Sequence, residues 1–396
     1  MSRKNKKENT ILFQIKKSFP LERLLGEVYF MKIIISGGGT GGHIFPAIAI
    51  ADALKAQDAS TEILFVGAEG KMEMERVPKA GYEIIGLPVA GFQRSFSFEN
   101  IKKNLVFPFK LMKSLLKARK IIKDFKPDAV VGVGGYASGP ILKVAMQSGV
   151  RGLIQEQNSY AGVTNKLLGK DVEKVCVAYE GMEKFFPNEK IIHTGNPVRR
   201  DVWDNKITAK EARRFYELDE NKKTIVLIGG SLGARTMNQA MRENYEKIAQ
   251  RPDIQILWQC GKLYIEEFSK CETATLSNVK ITAFLEKMDM AYAAADVVIS
   301  RAGALSISEL CIIGKAAILV PSPNVSEDHQ TKNAMALVNK NAALLVKDVD
   351  AKNEMIEKAI ALINNEKLII NLSENIKKMG KPNAAEDIAK EIFKMV

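Results

Sequence analysis

The chain has 396 residues, 46% hydrophobic and 26% charged, a composition typical of a globular protein with two domains of about 150–200 residues each. Its four cysteines form no C-x-x-C pair, which argues against a cysteine-based zinc site and a disulfide framework and favours a reducing cytoplasm. The net charge of +12 is concentrated in residues 1–30, with seven Lys and Arg against three Glu, and in residues 92–126, with ten against two acids.

Residues 1–30 precede the first predicted strand, and we interpret them either as a disordered basic extension or as the result of a start placed upstream of Met31, where "MKIIISGGG" begins. They lack the apolar core and cleavage site of a secretory signal. No apolar run approaches the roughly 20 residues of a membrane span. From Met31 onward, apolar strands alternate with helices. The first half contains the helical stretch Pro46–Gln57 and the predicted strands Lys32–Ser36, Ile63–Val66, Ala129–Val133, Gly152–Glu156 and Lys174–Ala178.

The pattern restarts after the turn-forming segment 193–203, "HTGNPVRRDVW". The predicted strands of the second half are Thr224–Ile228, Ile254–Gln259, Val279–Ala283, Val297–Ser300 and Ala317–Val320. Continuous apolar strands alternating with helices predict parallel sheets covered on both faces. We therefore predict an α/β fold of two doubly wound, Rossmann-like domains facing across a cleft, with the first domain at 31–195 and the second at 196–379.

The first Gly-rich loop, "SGGGTGGHIFP" (36–46), contains the Gly37-x-Gly39-x-x-Gly42 spacing of a dinucleotide-binding turn. An NAD-binding site also requires an acidic residue after the second strand, and Glu69, 27 positions after Gly42, fits that poorly. Glycines followed by a helix start suit a phosphate group. His43 stands at this helix start, where the helix dipole disfavours the imidazolium, so the sequence predicts a neutral ring able to act as a base.

Three later segments follow predicted strands in the same way. "GVGGYASGP" (132–140) is a second Gly-rich turn, and two such turns in one half suit a diphosphate-bearing ligand. In "SRAGALSISEL" (300–310), Ser306 and Glu309 fit a capping box as well as they fit a nucleotide site. The polar loop 323–334 carries Gln330, and loops at this end of a sheet commonly determine specificity.

Two further patterns have simpler interpretations. The D-x-D of Asp348 and Asp350 matches a metal motif of sugar transferases, but we interpret Asp350 as a helix N-cap and the motif as non-functional. Residues 107–125 form an amphipathic helix whose apolar face, with Leu111, Met112, Leu115, Leu116, Ile121 and Ile122, is expected to be core. Phenylalanines interspersed with Lys and Arg in 92–126 also fit an anionic membrane surface. Nucleic acid could attract the same charge, but the second half adds no basic stripe and no recognisable nucleic-acid module, so we predict no nucleic-acid partner.

Taken together, the motifs resemble the MurG family of glycosyltransferases, which add N-acetylglucosamine (GlcNAc) to lipid I in peptidoglycan synthesis. The matching segments span Met31 to the C-terminus in the order of the family: "GGTGGHIFPA" (38–47), "GVGGYASGP" (132–140), "QEQNSYAGVTNK" (155–166), "GNPVR" (195–199), "GGSLGA" (229–234), "SRAGALSISEL" (300–310) and "DHQTKNA" (328–334). Leu232 departs from the Gln common in "GGSQGA", and residues 1–30 have no counterpart in the family.

The resemblance implies a GT-B fold, UDP-GlcNAc as donor and undecaprenyl-diphospho-MurNAc-pentapeptide as acceptor, with residues 380–396 returning to the first domain. It implies donor binding by Thr40, Gly41, Gly42, Asn158, Arg199, Ser231, Leu285, Ala304, Leu305, Ser306, Glu309 and Gln330. Glu309 would bind the ribose hydroxyls, Arg199 and Ser231 the uracil or diphosphate region, and Gln330 the sugar. The diphosphate of the acceptor would meet Gly39, Gly134, Gly135 and Tyr136.

The implied reaction inverts the anomeric centre with His43 as the catalytic base, and it uses neither a metal nor a cofactor. The protein would be cytoplasmic and peripheral on the inner face of the bacterial inner membrane, held there by residues 92–126. Two other enzyme classes stay open at this point. A UDP-GlcNAc 2-epimerase shares the fold and the donor, and an NAD(P)-binding oxidoreductase shares the glycine spacing. A non-enzymatic binder of anionic membranes would explain the basic segment alone.

Overall fold

The computed structural model describes residues 30–89, 98–204, 206–230 and 232–396, with 98–107 and Ser326 described by their backbone alone. The predicted extension before Phe30, the start of the basic segment (92–97) and the predicted donor-binding Ser231 lie outside the described residues.

Seven parallel strands form the sheet of the first domain, in the order β3-β2-β1-β4-β5-β6-β7. They are β1 (Lys32–Ser36), β2 (Glu62–Ala68), β3 (Glu83–Leu87), β4 (Ala129–Gly132), β5 (Arg151–Glu156), β6 (Lys174–Val177) and β7 (Ile191–His193). The central strand β1 pairs through Ile35 with Phe65 on one side and Val131 on the other. All three side chains are buried, as expected for a sheet covered on both faces.

Six parallel strands form the second sheet, in the order β10-β9-β8-β11-β12-β13. They are β8 (Lys223–Ile228), β9 (Ile254–Gln259), β10 (Val279–Thr282), β11 (Val297–Ser300), β12 (Ala317–Leu319) and β13 (Leu344–Leu345). In both sheets the order reverses direction beside the first strand of the domain. The crevice outside the carboxyl ends of the strands at such a switch point is the usual ligand site of open α/β sheets.

Helices cover both faces of each sheet. In the first domain they are α1 (Gly41–Gln57), α2 (Glu73–Lys79), α3 (Phe98–Phe125), α4 (Ser138–Gln147) and α5 (Val163–Leu168). In the second they are α6 (Ala209–Phe215), α7 (Arg235–Glu243), α8 (Tyr245–Ala249), α9 (Ile265–Phe268), α10 (Met288–Ala294), α11 (Ala304–Ile313), α12 (His329–Val338), α13 (Ala351–Ile363) and α14 (Glu366–Lys377). No helix in the described part of the chain is long and apolar enough to cross a bilayer.

The last helix, α15 (Ala384–Phe393), packs against α1 of the first domain. Its buried residues Ile388 and Ile392 belong to the same apolar cluster as Ile50 and Leu54 of α1. This helix therefore ties the C-terminus of the chain to the first domain.

The structure corrects two predictions about local structure. α1 begins at Gly41 rather than at Pro46, so Pro46 lies inside the helix. Because proline has no N–H, it leaves the carbonyl of Gly42 without its intrahelical donor.

The second correction concerns strands at the edges of the sheets. Three strands, β3, β7 and β13, were not predicted, and they are three of the four edge strands of the two sheets. β7 and β13 contain only three and two residues, so their apolar side chains form no run long enough to indicate a strand.

Candidate functional site

Two Gly-rich turns of the first domain interlock at the carboxyl ends of β1 and β4. The N–H of Gly38 donates to the carbonyl oxygen of Gly134 at 3.3 Å. Gly135 has a φ of +91°, and a Cβ atom there would lie 2.5 Å from the carbonyl oxygen of Gly38. Only glycine fits this contact. Tyr136, the next residue, is exposed, so the predicted acceptor-binding residues Gly39, Gly134, Gly135 and Tyr136 lie together at one edge of the sheet.

His43 is the third residue of α1, directly behind these turns. Its Nδ1 lies 3.1 Å from the carbonyl oxygen of Gly38. A carbonyl oxygen can only accept, so Nδ1 carries the hydrogen and Nε2 of the neutral ring has a free lone pair. Burial lowers the pKa of His43, while the carboxylates of Glu156 and Glu73 act in the opposite direction. A neutral ring with a free Nε2 has the form that a general base requires.

We expect Gly134→Ala to lower turnover strongly, because a Cβ atom at this position would lie 2.7 Å from Cδ2 and 2.8 Å from Nε2 of His43. Displacing a reacting group by about 1 Å can cost roughly 10²-fold. Gly149→Ala is the matched control, since Gly149 also has a positive φ, of +78°, but a Cβ atom there would meet nothing within 4 Å. Steady-state turnover of both variants tests this, and equal losses would assign the effect to backbone strain alone.

The loop after β5 is organised by Glu156, a buried carboxylate. It accepts hydrogen bonds from the N–H groups of Asn158 and Gly162, both at 3.0 Å, and from Nδ2 of Asn165 at 2.9 Å. Asn158 in this loop was predicted from the sequence, whereas Glu156 was not. Its signal is an acidic residue at the carboxyl end of the predicted strand Gly152–Glu156, which is buried.

The same loop joins the two domains. Oδ1 of Asn333, on α12, accepts from the N–H of Ser159 at 3.1 Å and from its hydroxyl at 2.9 Å, and Nδ2 of Asn333 donates to Oδ1 of Asn158 at 3.3 Å. Nearby, Asn196 donates to the hydroxyl of Ser308 on α11 at 2.9 Å. These partly buried hydrogen bonds bring the ligand-binding edges of the two sheets face to face.

The N-terminus of α11 lies on the second-domain side of the cleft. Gly303 is its N-cap, and Ala304, Leu305 and Ser306 form its first turn. The capping-box interpretation is therefore wrong, because Ser306 lies inside the helix and Glu309 accepts from the hydroxyl of Tyr292 at 2.7 Å. Burial raises the pKa of Glu309, while the Tyr292 hydrogen bond and the positive charge of Arg199 oppose that shift.

Arg199 lies in the segment 193–203 between the two domains and is close to residues on both sides of the cleft. Its guanidinium group lies 4.8 Å from the ring centre of Phe45, two residues after His43, and it pairs with Asp201 at 3.3 Å. A guanidinium stacked on an aromatic ring is held in place by a cation–π interaction. Arg199 is thus near Glu309 on one side and near the His43 helix on the other.

Gln259 fixes the Gly-rich turn of the second domain. Its Oε1 accepts from the N–H of Gly230 at 3.1 Å, and its Nε2 donates to the carbonyl oxygens of Gly230 at 2.9 Å and Ala283 at 3.0 Å. The predicted donor-binding Leu285 follows Ala283 closely, but its side chain is buried in the core. Leu285 can therefore offer a ligand only its backbone.

Gln330 lies on the second-domain side of the cleft. It is the second residue of α12, and its Oε1 accepts from the N–H of Ser322 at 2.8 Å, which orients the amide group.

The acidic residues of the D-x-D motif have structural partners. Asp348 forms an ion pair with Arg301 and accepts from Thr236 at 2.9 Å. Asp350 stands at the N-cap position of α13 but makes no capping hydrogen bond with its side chain. The described residues contain no cluster of His, Cys, Asp and Glu that could hold a metal ion.

Comparison with known proteins agrees with this geometry. Residues 33–177 match the glycosyltransferase family 28 N-terminal domain and residues 224–392 the corresponding C-terminal domain. A relative from Phocaeicola vulgatus, named UDP-N-acetylglucosamine--N-acetylmuramyl-(pentapeptide) pyrophosphoryl-undecaprenol N-acetylglucosamine transferase, is 57% identical over 92% of this chain and 96% of its own.

Solved structures show the same architecture. MurG from Acinetobacter baumannii is 28% identical, with a TM-score of 0.71 over 92% of this chain and 99% of its own. A UDP-GlcNAc 2-epimerase from Neisseria meningitidis has a TM-score of 0.65 over 92% of this chain and all of its own, but at 15% identity it shows only the fold. The predicted pair of Rossmann-like domains in a GT-B arrangement is therefore confirmed. The chain belongs to glycosyltransferase family 28 and, within it, to the MurG family that its sequence motifs resemble.

Proposed function

We propose that the protein transfers GlcNAc from UDP-GlcNAc to the 4-hydroxyl of the MurNAc residue of undecaprenyl-diphospho-MurNAc-pentapeptide. The observation that carries this proposal is His43, with a free Nε2 beside two interlocked Gly-rich turns and across the cleft from a helix N-terminus and a buried carboxylate. The name of the 57% identical relative describes this reaction.

The donor occupies the second-domain side. Glu309 accepts hydrogen bonds from the ribose hydroxyls, and the backbone of Leu285 together with Arg199 and Ser231 binds the uracil and diphosphate region. The first-turn N–H groups of α11, at Ala304 to Ser306, face the diphosphate, because the first four N–H groups of a helix have no intrahelical partner. Thr40, Gly41 and Gly42 close the site from the first domain with Asn158, and Gln330 binds the sugar.

The acceptor diphosphate lies against Gly39, Gly134, Gly135 and Tyr136. In the reaction, Nε2 of His43 takes the proton of the MurNAc 4-hydroxyl as its oxygen bonds to the anomeric carbon of GlcNAc. The bond from that carbon to the β-phosphate oxygen breaks, and UDP leaves with the electron pair, which inverts the anomeric centre. Helix N–H groups stabilise the charge on the departing diphosphate. The reaction needs no metal ion.

Incubation with UDP-GlcNAc, with and without lipid I and with EDTA, tests this function. We expect UDP release that depends on lipid I and is insensitive to EDTA. UDP release or sugar isomerisation without lipid would favour a UDP-GlcNAc 2-epimerase instead. Membership of the MurG family argues against that alternative. Loss of activity in EDTA would overturn the metal-free mechanism.

An exposed apolar face on α3 supports binding to a membrane surface. Ile121 and Ile122 are buried and Leu115 is partly buried, as predicted for core residues, but Leu111, Met112 and Leu116 are exposed. That part of the core prediction is wrong. Phe109, Met112 and Leu116, which are 74%, 59% and 56% exposed, share one helix face at i, i+3 and i+7. We infer a peripheral position on the cytoplasmic face of the inner membrane.

Lysines beside this face should favour anionic lipid. Lys110 and Lys113 are exposed, and each lysine near an anionic surface contributes about 1 kcal/mol. We therefore expect the double substitution Lys110→Ala and Lys113→Ala to weaken binding to phosphatidylglycerol vesicles about 30-fold, as measured by vesicle co-sedimentation. Binding to phosphatidylcholine vesicles should change little.

The contribution of the exposed apolar side chains of α3 to membrane binding is tested separately. Met112→Ser with Leu116→Ser should weaken binding to both kinds of vesicle, whereas Leu263→Ser, at an exposed apolar residue of the second domain, should weaken neither. Unchanged binding of the α3 variants would place the membrane contact elsewhere.

A further inference from the structure

Glu73, the first residue of α2, is a fully buried carboxylate that the proposed reaction does not use. Its Oε1 accepts from the N–H of Ala68 at 2.9 Å and its Oε2 from the N–H of Gly39 at 2.8 Å. Both partners are neutral backbone groups. Burying a carboxylate against neutral donors costs folding free energy, so its position beside the Gly-rich loop requires an explanation.

The hydrogen bond to Gly39 connects Glu73 with His43 through a single peptide group. The N–H of Gly39 and the carbonyl of Gly38 belong to the same peptide plane. That N–H donates to Glu73, and that carbonyl accepts from Nδ1 of His43 at 3.1 Å. Hydrogen bonds in such a chain polarise one another. The carboxylate therefore makes the Gly38 oxygen a stronger acceptor for the imidazole.

The surrounding glycines leave room for this arrangement. A Cβ atom at Gly38 would lie 2.2 Å from Oε1 of Glu73, and one at Gly67 would lie 2.6 Å from its Cγ. Glycine at position 38 is thus required for the carboxylate to reach the loop, in addition to any requirement of a phosphate ligand.

We propose that Glu73 is a positioning residue that acts on His43 through the Gly38–Gly39 peptide. It holds the hydrogen of the neutral ring on Nδ1, so that Nε2 faces the acceptor hydroxyl, and it stabilises the imidazolium that forms when Nε2 takes the proton. The proton stays on His43 and is not passed to Glu73 through the peptide. This inference rests on the proposed function, in which His43 is the base. The arrangement has the logic of a base oriented by a third group, with a peptide between them.

Among the described residues, three charged or titratable groups from different elements act on the His43 ring. They are Glu73 from α2, Glu156 from the end of β5 and His329 from the start of α12. The two carboxylates raise the pKa of His43, and His329 lowers it. Removing the charge of Glu73 should therefore lower the pKa of His43 further, beyond the effect of burial.

The test compares Glu73→Gln with the wild type and with Glu75→Gln. Glu75 lies two residues later on the same helix, is exposed and pairs with Lys79 at 2.6 Å, so it is the matched control. We expect Glu73→Gln to lower kcat about 10-fold, a part of the roughly 10²–10⁴-fold that general-base assistance supplies. The acidic limb of its kcat/KM profile should move to lower pH. A purely structural loss would reduce the rate without moving that limb.

Nitrogen-15 NMR of the histidine rings measures the tautomer of His43, and so tests the effect of Glu73 independently of activity. The chain has three histidines, so His193→Gln and His329→Gln variants assign the signals. We expect Nδ1–H and an unprotonated Nε2 for His43 in the wild type, and a shift toward the Nε2–H form in Glu73→Gln. Glu73→Asp keeps the charge and should retain part of the tautomer preference and of the turnover.

The outcomes separate the positioning role of Glu73 from the base role of His43. An Nε2–H form of His43 in the wild type, or an unchanged tautomer and pKa of His43 in a folded Glu73→Gln variant, would overturn the positioning role of Glu73. The wild-type measurement and Glu73→Asp keep the test decisive if Glu73→Gln does not fold, which thermal unfolding would show. Full turnover of His43→Ala would instead overturn the base assignment and leave the tautomer result standing.

Discussion

Replacing His43 with alanine is expected to lower turnover about 10²–10⁴-fold, the usual contribution of a general base. UDP-GlcNAc binding should remain close to that of the wild type, because the ring lies on the first-domain side while the donor is held mainly by the second. Single-turnover rates with saturating donor, together with calorimetric titration of UDP-GlcNAc, separate these two effects. His193→Gln, at an exposed histidine on the outer strand β7, should behave as the wild type.

The pH dependence gives a second test of the same residue. Burial lowers the pKa of His43 from its ordinary value of 6.5, so the base stays unprotonated at neutral pH. The kcat/KM of the wild type should therefore fall only as the pH drops through a value below 6.5, and His43→Ala should lack this acidic limb. Wild-type-like turnover in His43→Ala, or an unchanged acidic limb, would remove His43 from the role of base.

The central strands could be predicted from sequence because burial on both faces makes them continuous apolar runs, as in β1 and β8. Of the four edge strands only β10 was predicted. β7 and β13 were missed because they are as short as Ile191–His193 and Leu344–Leu345. The start of α1 was misplaced for a related reason. Proline at position 46 is a common first-turn signal, whereas the helix begins with Gly41 and Gly42, and glycine is a poor helix former.

The site divides in the same way. His43 and the glycines were predictable because their chemistry depends on neighbours a few residues apart, and the resemblance then assigned roles to them. Glu73 and Asn333 act over long distances in sequence. Glu73 binds Gly39, 34 residues away, and Asn333 binds Ser159 across the cleft, 174 residues away. No local pattern marks Glu73, and the motif "DHQTKNA" (328–334) contains Asn333 without indicating its partner. Only the folded chain therefore shows that these residues order the loops around the base.

Glu309→Gln is expected to weaken UDP-GlcNAc binding about 10- to 150-fold, since a hydrogen bond to a charged group contributes about 1.5–3 kcal/mol. The amide is nearly isosteric and can still accept from Tyr292, so the fold should persist. Calorimetric titration of UDP-GlcNAc measures the affinity. Tyr292→Phe is the matched comparison, because it removes the hydroxyl that donates to Glu309 at 2.7 Å and leaves the carboxylate in place.

The pH dependence of Glu309 distinguishes a ligand-binding role from a structural one. Burial raises the pKa of Glu309 above its ordinary value, so donor binding by the wild type should weaken as the pH falls through that raised pKa. A group with a raised folded pKa favours folding below its unfolded pKa, and that contribution is lost as the pH rises through the folded value. Glu309→Gln should therefore be at least as stable as the wild type at neutral pH, with the advantage shrinking at acidic pH. In the wild type, the hydroxyl of Tyr292 lowers the pKa of Glu309. Tyr292→Phe should remove this effect, so donor binding should be lost at a higher pH than in the wild type. Unaltered affinity in Glu309→Gln would mean that the ribose hydroxyls are bound by another group, whatever its stability.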